Sequence, residues 1–414
     1  MHLRFVLAAT LGVLMPWGPA SADEKPAAGE EQPQKEKTEL NFFPLIGGDS
    51  DTGIGVGVVG DLAHLSPNYK PYRWRLEAGA FITFKPGENG SAIESPYQDF
   101  YFDLVLPQLT DSRRLRIELR PSFTTETTQR FDGLGNDSPE PPSSLPSSAS
   151  QYGRRRLAFD AAARVDVGNH LFLRGTFDYS RFWLDVSPDS ILAQQRATGD
   201  DEVRRLLAAP DRFGVLSTAL ALEYDTRDNE IVTKDGMFHQ LRVRFSPRFG
   251  DDQPFQFGEL NTTFRFYRSP EKWLTFGARL LGDVIIGDAP FYELTRIDDL
   301  SMFGGATGIR GVPGQRYYGK VKVLGNLEGR AEMWHFELFG KELVLAGALF
   351  VDAGRVWVDL EDNPMLDGTG LGLKVGVGGG LRLQEGQTFV VRGDIAWSPD
   401  ARPIGAYVSA NEIF

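Results

Sequence analysis

The sequence predicts an all-β fold, a sixteen-stranded antiparallel β-barrel that spans a membrane. Apolar and charged side chains alternate along successive segments, as at 72–84, 114–120 and 240–245. Because neighbouring side chains on a strand point to opposite faces, each segment has one apolar face and one charged face. A transmembrane barrel needs an apolar outside around a charged, hydrated inside, and its closed sheet pairs every backbone group. After residue 22, no apolar run is long enough for a helix that crosses a membrane.

Two segments precede the predicted barrel, which covers residues 39–414. Residues 1–22 have a basic start, an apolar core and the small-residue site Ala20-Ser21-Ala22, which together indicate a secretory signal peptide. An uncleaved anchor helix is the alternative, and two prolines in this short apolar segment argue against it. Residues 23–38 are charged, contain proline and show no apolar periodicity, so we expect a disordered periplasmic tail.

Composition limits the possible functions. The chain has a formal net charge of −12, which argues against nucleic acid as a partner because a nucleic-acid binder presents a basic face. It contains no cysteine, so disulfides, thiolate zinc sites and cysteine nucleophiles are excluded. The 46 glycines fit a sheet with many bends and tight turns.

Segments with the two-residue alternation of a β-strand, separated by turn residues, account for the rest of the chain. Their even number places both chain ends on one side of the membrane, which is the periplasm for an exported barrel. The predicted strands are 39–46, 52–63, 71–84, 96–106, 112–125, 154–166, 170–183, 214–225, 237–248, 255–268, 272–286, 319–333, 342–353, 369–383, 388–398 and 404–414.

The connections between these strands sort into two alternating sets. One set is short and fits periplasmic turns, whereas the other holds the long connections and fits external loops. Within the long set, the Pro- and Ser-rich stretch 137–151 predicts a flexible segment, and 202–207 predicts a short helix. The long connections are 127–153, 184–213, 287–318 and 354–368.

The two ends of the barrel predict a weak seam. The first strand contains Pro44, which cannot donate a ladder hydrogen bond and therefore belongs at an edge or an irregular pairing. In a closed barrel this strand pairs with the last one, which ends in the aromatic residue Phe414. The alternative is a first strand that ends at Phe43, and the pattern fits both interpretations equally well.

Four short motifs lie on or between these strands. They are Tyr224-Asp225-Thr226-Arg227-Asp228-Asn229 with Lys234-Asp235-Gly236, Gly304-Gly305 with Ile309-Arg310-Gly311-Val312, Asn326-Leu327-Glu328-Gly329-Arg330, and Phe350-Val351-Asp352-Ala353-Gly354-Arg355-Val356-Trp357. Each motif alone is weak evidence of a relationship to any family. In this order the set resembles the bacterial surface-antigen superfamily, which includes BamA, TamA and the two-partner secretion transporters of Gram-negative bacteria. The resemblance covers the whole predicted barrel.

The resemblance implies that the sixth external loop folds back into the barrel, where its arginine pairs with acidic residues of the inner wall. Here that arginine is Arg310, followed by Gly311, and its partners would be Asp352 and Glu328. Independently, the apolar alternation of the two strands turns both carboxylates inward. The alternatives are that Arg310 is a solvated loop charge and that the two acids pair with other arginines of the wall.

The first motif resembles the turn that follows the eighth strand in the same superfamily. Asp225, Arg227, Asp228 and Gly236 occupy the positions that carry the resemblance. We therefore expect them to build one periplasmic turn.

Two features depart from the family pattern. Val312 follows the Arg-Gly pair where the family commonly has an aromatic residue, which puts a stacking role in doubt but leaves the arginine pairing intact. The family usually carries POTRA domains before the barrel, and residues 23–38 are too few for one, so we expect a member that lacks them.

No group of residues predicts catalysis or a bound cofactor. The stretch Gly48-Asp49-Ser50-Asp51-Thr52 approaches a nucleophile elbow but lacks its second glycine, and a hairpin turn explains it. His170 falls on a predicted strand, but spacing alone places no serine beside it. The acidic pairs at 298–299 and 361–362 lack EF-hand spacing, so we expect no metal site.

These observations favour a non-catalytic barrel in the bacterial outer membrane, with both termini in the periplasm. By resemblance, it would aid the insertion or translocation of protein or lipid substrates, with the seam between the first and last strands opening sideways. Its partners would be outer-membrane lipid, unfolded protein or lipid clients and a separately encoded periplasmic protein. The alternatives are a passive porin-like channel and a surface antigen or adhesin.

Overall fold

The computed structural model shows a closed ring of sixteen long antiparallel strands. The structure describes residues 36–49, 52–66, 72–87, 93–109, 115–142, 144–229, 232–296, 308–313, 316–338, 341–385, 389–400 and 404–410. The predicted signal peptide and most of the predicted tail lie outside the described residues. The first strand begins at Lys37, so the last residues assigned to the tail belong to the barrel.

Each strand pairs with its neighbours in chain order, and β1 also pairs with β16, which closes the sheet. One end of the barrel carries the short connections and is called the turn end. The other is called the loop end. Strands β1 to β16 are Lys37–Asp49, Gly53–Leu65, Trp74–Pro86, Tyr97–Leu106, Leu115–Arg130, Gln151–Gly168, Leu171–Asp185, Arg212–Asp225, Gly236–Ser246, Gln256–Glu271, Leu274–Asp288, Val321–Leu338, Lys341–Trp357, Lys374–Glu385, Phe389–Trp397 and Gly405–Ala410.

The alternation of side chains along the strands gives the barrel two chemically different faces. On β13, Leu349 and Val351 are exposed on the outside, with Leu349 at 75% exposure, whereas Phe350 and Asp352 are buried inside. On β12, Leu327 points outward and Glu328 inward in the same way. The outer face is therefore an apolar band suited to lipid, and the inner face is polar and charged.

Some predicted strand boundaries were wrong because the ladder does not follow the apolar pattern. The strand β5 continues to Arg130 and β12 to Leu338, five residues beyond the ends predicted from alternation. On β5 the ladder continues through polar residues, whereas on β12 a β-bulge between Glu332 and Trp334 shifts the register before the exposed apolar residues Trp334 and Leu338. Conversely, β14 begins at Lys374 rather than at residue 369, because the preceding loop folds as the helix Pro364–Asp367 and binds Arg355 through the carbonyls of Gly370 and Leu371.

The first strand runs through Pro44, so the interpretation that it ends at Phe43 was wrong. Pro44 lies opposite Val58 in the ladder with β2, which extends along all of β1. The ladder between β1 and β16 is much shorter. Among the described residues it joins only Gly48 to Val408 and Asp49 to Tyr407. Phe414 lies outside the described residues.

Loops at the loop end pack together into an apolar cap. The loop between β7 and β8 contains two helices, α1 (Ile191–Thr198) and α2 (Asp201–Leu207), of which the sequence predicted the second. Part of the stretch predicted to be flexible forms the 3-10 helix Ser147–Ser150. The cap includes Phe131, Tyr152, Phe182, Leu192, Leu206, Leu207, Phe213, Phe291, Tyr292 and Tyr318. None of the helices in the described part of the chain has the length and apolar character needed to cross a membrane.

Candidate functional site

A segment of the loop between β11 and β12, here called loop 6, lies inside the barrel. Its residue Arg310 is fully buried and contacts the inner faces of β12 and β13. The predicted residues Arg310, Asp352 and Glu328 are thus brought together. Gly304 and Gly305, which belong to the same motif, lie outside the described residues.

The guanidinium of Arg310 is held on two sides. Its Nε and Nη2 donate to the two carboxylate oxygens of Asp352, at 2.8 and 2.9 Å. Its Nη1 donates to Oε2 of Glu328 at 2.5 Å, and its backbone N–H donates to Asp352 at 3.0 Å. The Phe350 ring centroid lies 3.3 Å from Cζ. The planar fork of an arginine suits this bidentate, charge-assisted geometry, which a lysine cannot reproduce.

Further charges surround this pair and form a network, here called the lumenal charge cluster. Glu328 accepts hydrogen bonds from Arg330 at 2.7 Å and Arg382 at 3.1 Å. Arg382 also donates to Asp394 at 2.6 Å. The alternative interpretation of Glu328, as a wall charge paired with other arginines, therefore holds alongside its contact with Arg310. The cluster comprises Arg310, Glu328, Arg330, Asp352, Arg382 and Asp394.

Burial makes the completeness of this cluster important. A buried ion pair must offset a large desolvation cost, which requires that each carboxylate and guanidinium be hydrogen-bonded. Asn326 contributes to this by donating from Nδ2 to Asp352 and to the carbonyl oxygen of Gly308, both at 2.8 Å. It thus links the loop to the wall. Asn326 belongs to the third sequence motif, in which no local pattern indicates this role.

Glycines allow the loop backbone to approach the wall closely. Gly311 has φ of +93°, which favours glycine, and its N–H donates to the Tyr407 hydroxyl of β16 at 2.9 Å. On β14, a Cβ at Gly376 would lie 1.9 Å from the carbonyl oxygen of Arg310. The absence of a side chain at Gly376 therefore makes room for loop 6. Through Gly376 and Tyr407, the loop contacts β14 and β16 as well as β12 and β13.

The apolar side of the loop is buried too. Ile309 and Val312 are both fully buried and pack with Leu324, Val356 and Tyr317. Val312 replaces the aromatic residue of the family pattern, and here it belongs to this small apolar cluster.

A second arginine of loop 6 anchors it at the loop end. Nη1 of Arg316 donates to Asp132 at 3.0 Å and to the Ser138 hydroxyl at 3.2 Å, and Nη2 donates to the Ser138 carbonyl oxygen at 3.0 Å. Both partners belong to the loop between β5 and β6. We call this contact the outer anchor. No sequence pattern indicates this contact, because 184 positions separate Arg316 from Asp132.

The motif turn between β8 and β9 is a separate feature at the turn end. Arg227 donates from Nε and Nη2 to Asp225 at 2.9 and 2.8 Å, and Asp228 accepts from the Lys234 N–H at 3.0 Å. Gly236 has φ of +110°, and a Cβ there would lie 2.3 Å from the Thr226 carbonyl oxygen. These residues fix the turn, and the structure does not bring them into the lumenal charge cluster.

Residues considered for catalysis lie elsewhere. His170 was predicted on a strand, but it sits with Asn169 in a two-residue hairpin turn in which both have positive φ. Ser50 lies outside the described residues. Among the described residues, no group of three or more His, Asp or Glu side chains is arranged to hold a metal ion.

Comparisons with known proteins agree with this architecture. The family model described as the Omp85 superfamily domain matches residues 113–405. The structure is similar to BamA from Haemophilus ducreyi lacking POTRA domains 1–3, with a TM-score of 0.58 and 12% identity over 91% of this chain and 70% of that one. It is also similar to CdiB from Escherichia coli, with a TM-score of 0.54 and 12% identity over 93% of this chain and 63% of that one.

CdiB from Acinetobacter baumannii has a TM-score of 0.51 and 10% identity, over 91% of this chain and 65% of that one. This chain therefore spans about two thirds of the length of these relatives, and at such identities the likeness shows the fold. No curated protein matches the sequence.

Proposed function

The chain belongs to the Omp85 superfamily of bacterial outer-membrane barrels, and we propose that it aids the insertion or translocation of protein clients without catalysing a reaction. The observation that carries the proposal is the position of Arg310 inside the barrel, joined to Asp352 and Glu328. A loop held there by buried ion pairs occupies the lumen. An open diffusion pore would leave that space to water and solute.

The seam supports a sideways route for the client. The strand β1 is fully paired with β2 but meets β16 at two positions among the described residues. Among the described residues, this ladder is the shortest between neighbouring strands of the ring, and fewer ladder hydrogen bonds lower the cost of separating the two strands. We propose that the seam opens toward the membrane while loop 6 braces β12 and β13.

Loop 6 itself couples the two regions. Gly311 donates to Tyr407 on β16, whereas Arg310 is held by β12 and β13. Separation of β16 from β1 can therefore proceed with the loop still attached to both β13 and β16. We further propose that the turn end faces the periplasm, where the residues before β1 and a separately encoded partner protein would lie.

A reconstituted insertion assay tests this function. A urea-unfolded eight-stranded outer-membrane barrel is diluted into liposomes that contain this protein, and its folded fraction is followed as the heat-modifiable band on gels. We expect faster folding than in protein-free liposomes. Equal rates with and without the protein would overturn the proposed insertion role, and a matched amount of an unrelated porin serves as the control for membrane defects.

A further inference from the structure

The outer wall of the barrel carries a groove that the proposed function does not use. It crosses β9 to β13, is open to the outside and has a volume of about 830 Å³, within the range of about 300–1,000 Å³ that is typical of ligand pockets. Its outward-facing lining consists of Met237, Phe266, Arg268, Phe276, Ala278, Leu327, Gly329, Leu349 and Val351.

Small residues form the floor of this groove and large ones form its sides. Ala278 lies in the ladder between Phe266 and Leu327. Gly329 lies between Phe276 and Leu349 in the same way. Because Gly329 lacks a side chain, the exposed rings and leucines around it stand above an apolar channel. This also gives a position to a motif glycine that the lumenal charge cluster leaves unexplained.

The turn end of the groove is basic. The Arg268 side chain is 83% exposed, and its Nη1 contacts Oδ1 of Asp235 at 3.2 Å. An exposed pair of this kind is weak and leaves the guanidinium open to a second anion. Trp273 lies exposed in the adjoining turn, where tryptophans mark the boundary between lipid and water. The groove thus joins an apolar channel to a cation at the depth of a lipid headgroup.

We propose that this groove binds one phospholipid, with an acyl chain over Ala278 and Gly329 and an anionic headgroup on Arg268. The charge of Arg268 selects a phosphate-bearing anionic lipid, and the channel has room for one of its acyl chains. Because the recess and the cation act together on one molecule, this lipid exchanges more slowly than lipid on the rest of the wall. The inference depends on the barrel fold and is independent of any client.

Native mass spectrometry of the full chain, released from micelles that contain phosphatidylglycerol, tests the site. We expect one retained phosphatidylglycerol on the wild-type protein and an about tenfold lower retained fraction for Gly329→Leu, which fills the channel. A Cβ at Gly329 meets the Phe276 ring at 3.4 Å, so the fold accepts the change. Gly325→Leu is the matched control, because Gly325 faces outward on the same strand, lies outside the groove and has no atom within 3.8 Å of its Cβ position.

A second substitution tests the headgroup contact. Arg268→Gln should lower retention of phosphatidylglycerol to that of phosphatidylethanolamine, whereas Arg248→Gln, at an exposed arginine of the loop end, should leave it unchanged. Equal retention by wild type, Gly329→Leu and Gly325→Leu would overturn the proposal and mean that only unspecific boundary lipid is present. Heat-modifiability of every variant on gels confirms that each barrel is folded.

Discussion

The carbonyl oxygen of Arg310 occupies the space in which any residue larger than glycine at position 376 would place its Cβ. The two atoms would be 1.9 Å apart, a distance that real Cβ contacts do not show. Gly376 on β14 and the inserted segment of loop 6 are therefore mutually dependent. This relationship connects a glycine of β14 to a loop residue that lies more than sixty positions earlier in the chain.

Gly376→Ala should expel this segment of loop 6 from the barrel, because the new Cβ and the Arg310 carbonyl cannot share the site. Trypsin cuts after arginine, so the Arg310–Gly311 bond should become cleavable in the folded protein, and mass spectrometry of the fragments identifies the cut. Gly393→Ala on the neighbouring strand is the control, since nothing lies within 4 Å of its Cβ position. Protection of Gly376→Ala equal to that of the wild type would contradict the close approach.

Asp352→Ala should destabilise the barrel, because it leaves the Arg310 guanidinium buried without its bidentate partner. Breaking one side of a buried ion pair typically costs about 3–5 kcal/mol. The folded band on gels should therefore convert to the unfolded band at a clearly lower temperature. Asp201→Ala is the comparison, because that carboxylate is 96% exposed and its loss should leave the temperature unchanged. The same temperature for both variants would mean that the contact contributes nothing to stability.

Arg316→Ala should loosen the cap without releasing Arg310. Hydrogen bonds to a charged group contribute about 1.5–3 kcal/mol each, so amide exchange across 131–138 should be roughly tenfold faster or more. Arg205→Ala removes an exposed pair with Asp359 and should leave exchange there unchanged. If Arg316→Ala also made the Arg310–Gly311 bond sensitive to trypsin, the outer anchor and the lumenal charge cluster would be one unit.

A disulfide across the seam should block insertion if β1 and β16 separate. Gly48 and Val408 are direct ladder partners, and the chain has no other cysteine to interfere with a Gly48→Cys and Val408→Cys pair. The oxidised protein should lose its effect on client folding and regain it on reduction. Leu260→Cys with Val284→Cys joins β10 to β11 and should have no effect. Full activity of the oxidised seam variant would rule out sideways opening.

The sequence predicted the faces of the strands correctly because alternation is a local property. The apolar residues around Glu328 and Asp352 fix which way each carboxylate points, whatever the rest of the chain does. The same pattern could not reveal the partners of Arg310 on distant strands. Asp394 lies 3.5 Å from Nη1 of Arg310, and Tyr407 accepts from Gly311. Both follow the alternation, but their contact with loop 6 depends on the curvature of the wall, which brings β15 and β16 round to the inserted loop.

Other features were missed because their signals are weak or distributed. The helix α1 shows little apolar periodicity and is fixed by its N-cap Ser190 and by burial of Leu192. The outer anchor between Arg316 and Asp132 joins two loops, where neither residue lies in a periodic segment. His170 was placed on a strand one residue too early, because an Asn-His turn with positive φ at both positions is uncommon and carries no glycine at those two positions.

Conductance in planar lipid bilayers tests most directly whether Arg310 holds loop 6 as a plug. The wild-type protein should show small or transient currents, and Arg310→Ala should show large, steady ones, because the loop then has no bidentate hold on Asp352. Arg310→Lys should show currents between these two, since lysine keeps the positive charge but lacks the planar guanidinium that makes the bidentate contact. Large, steady currents through the wild-type protein, unchanged in Arg310→Ala, would contradict a plugged barrel and favour an open channel.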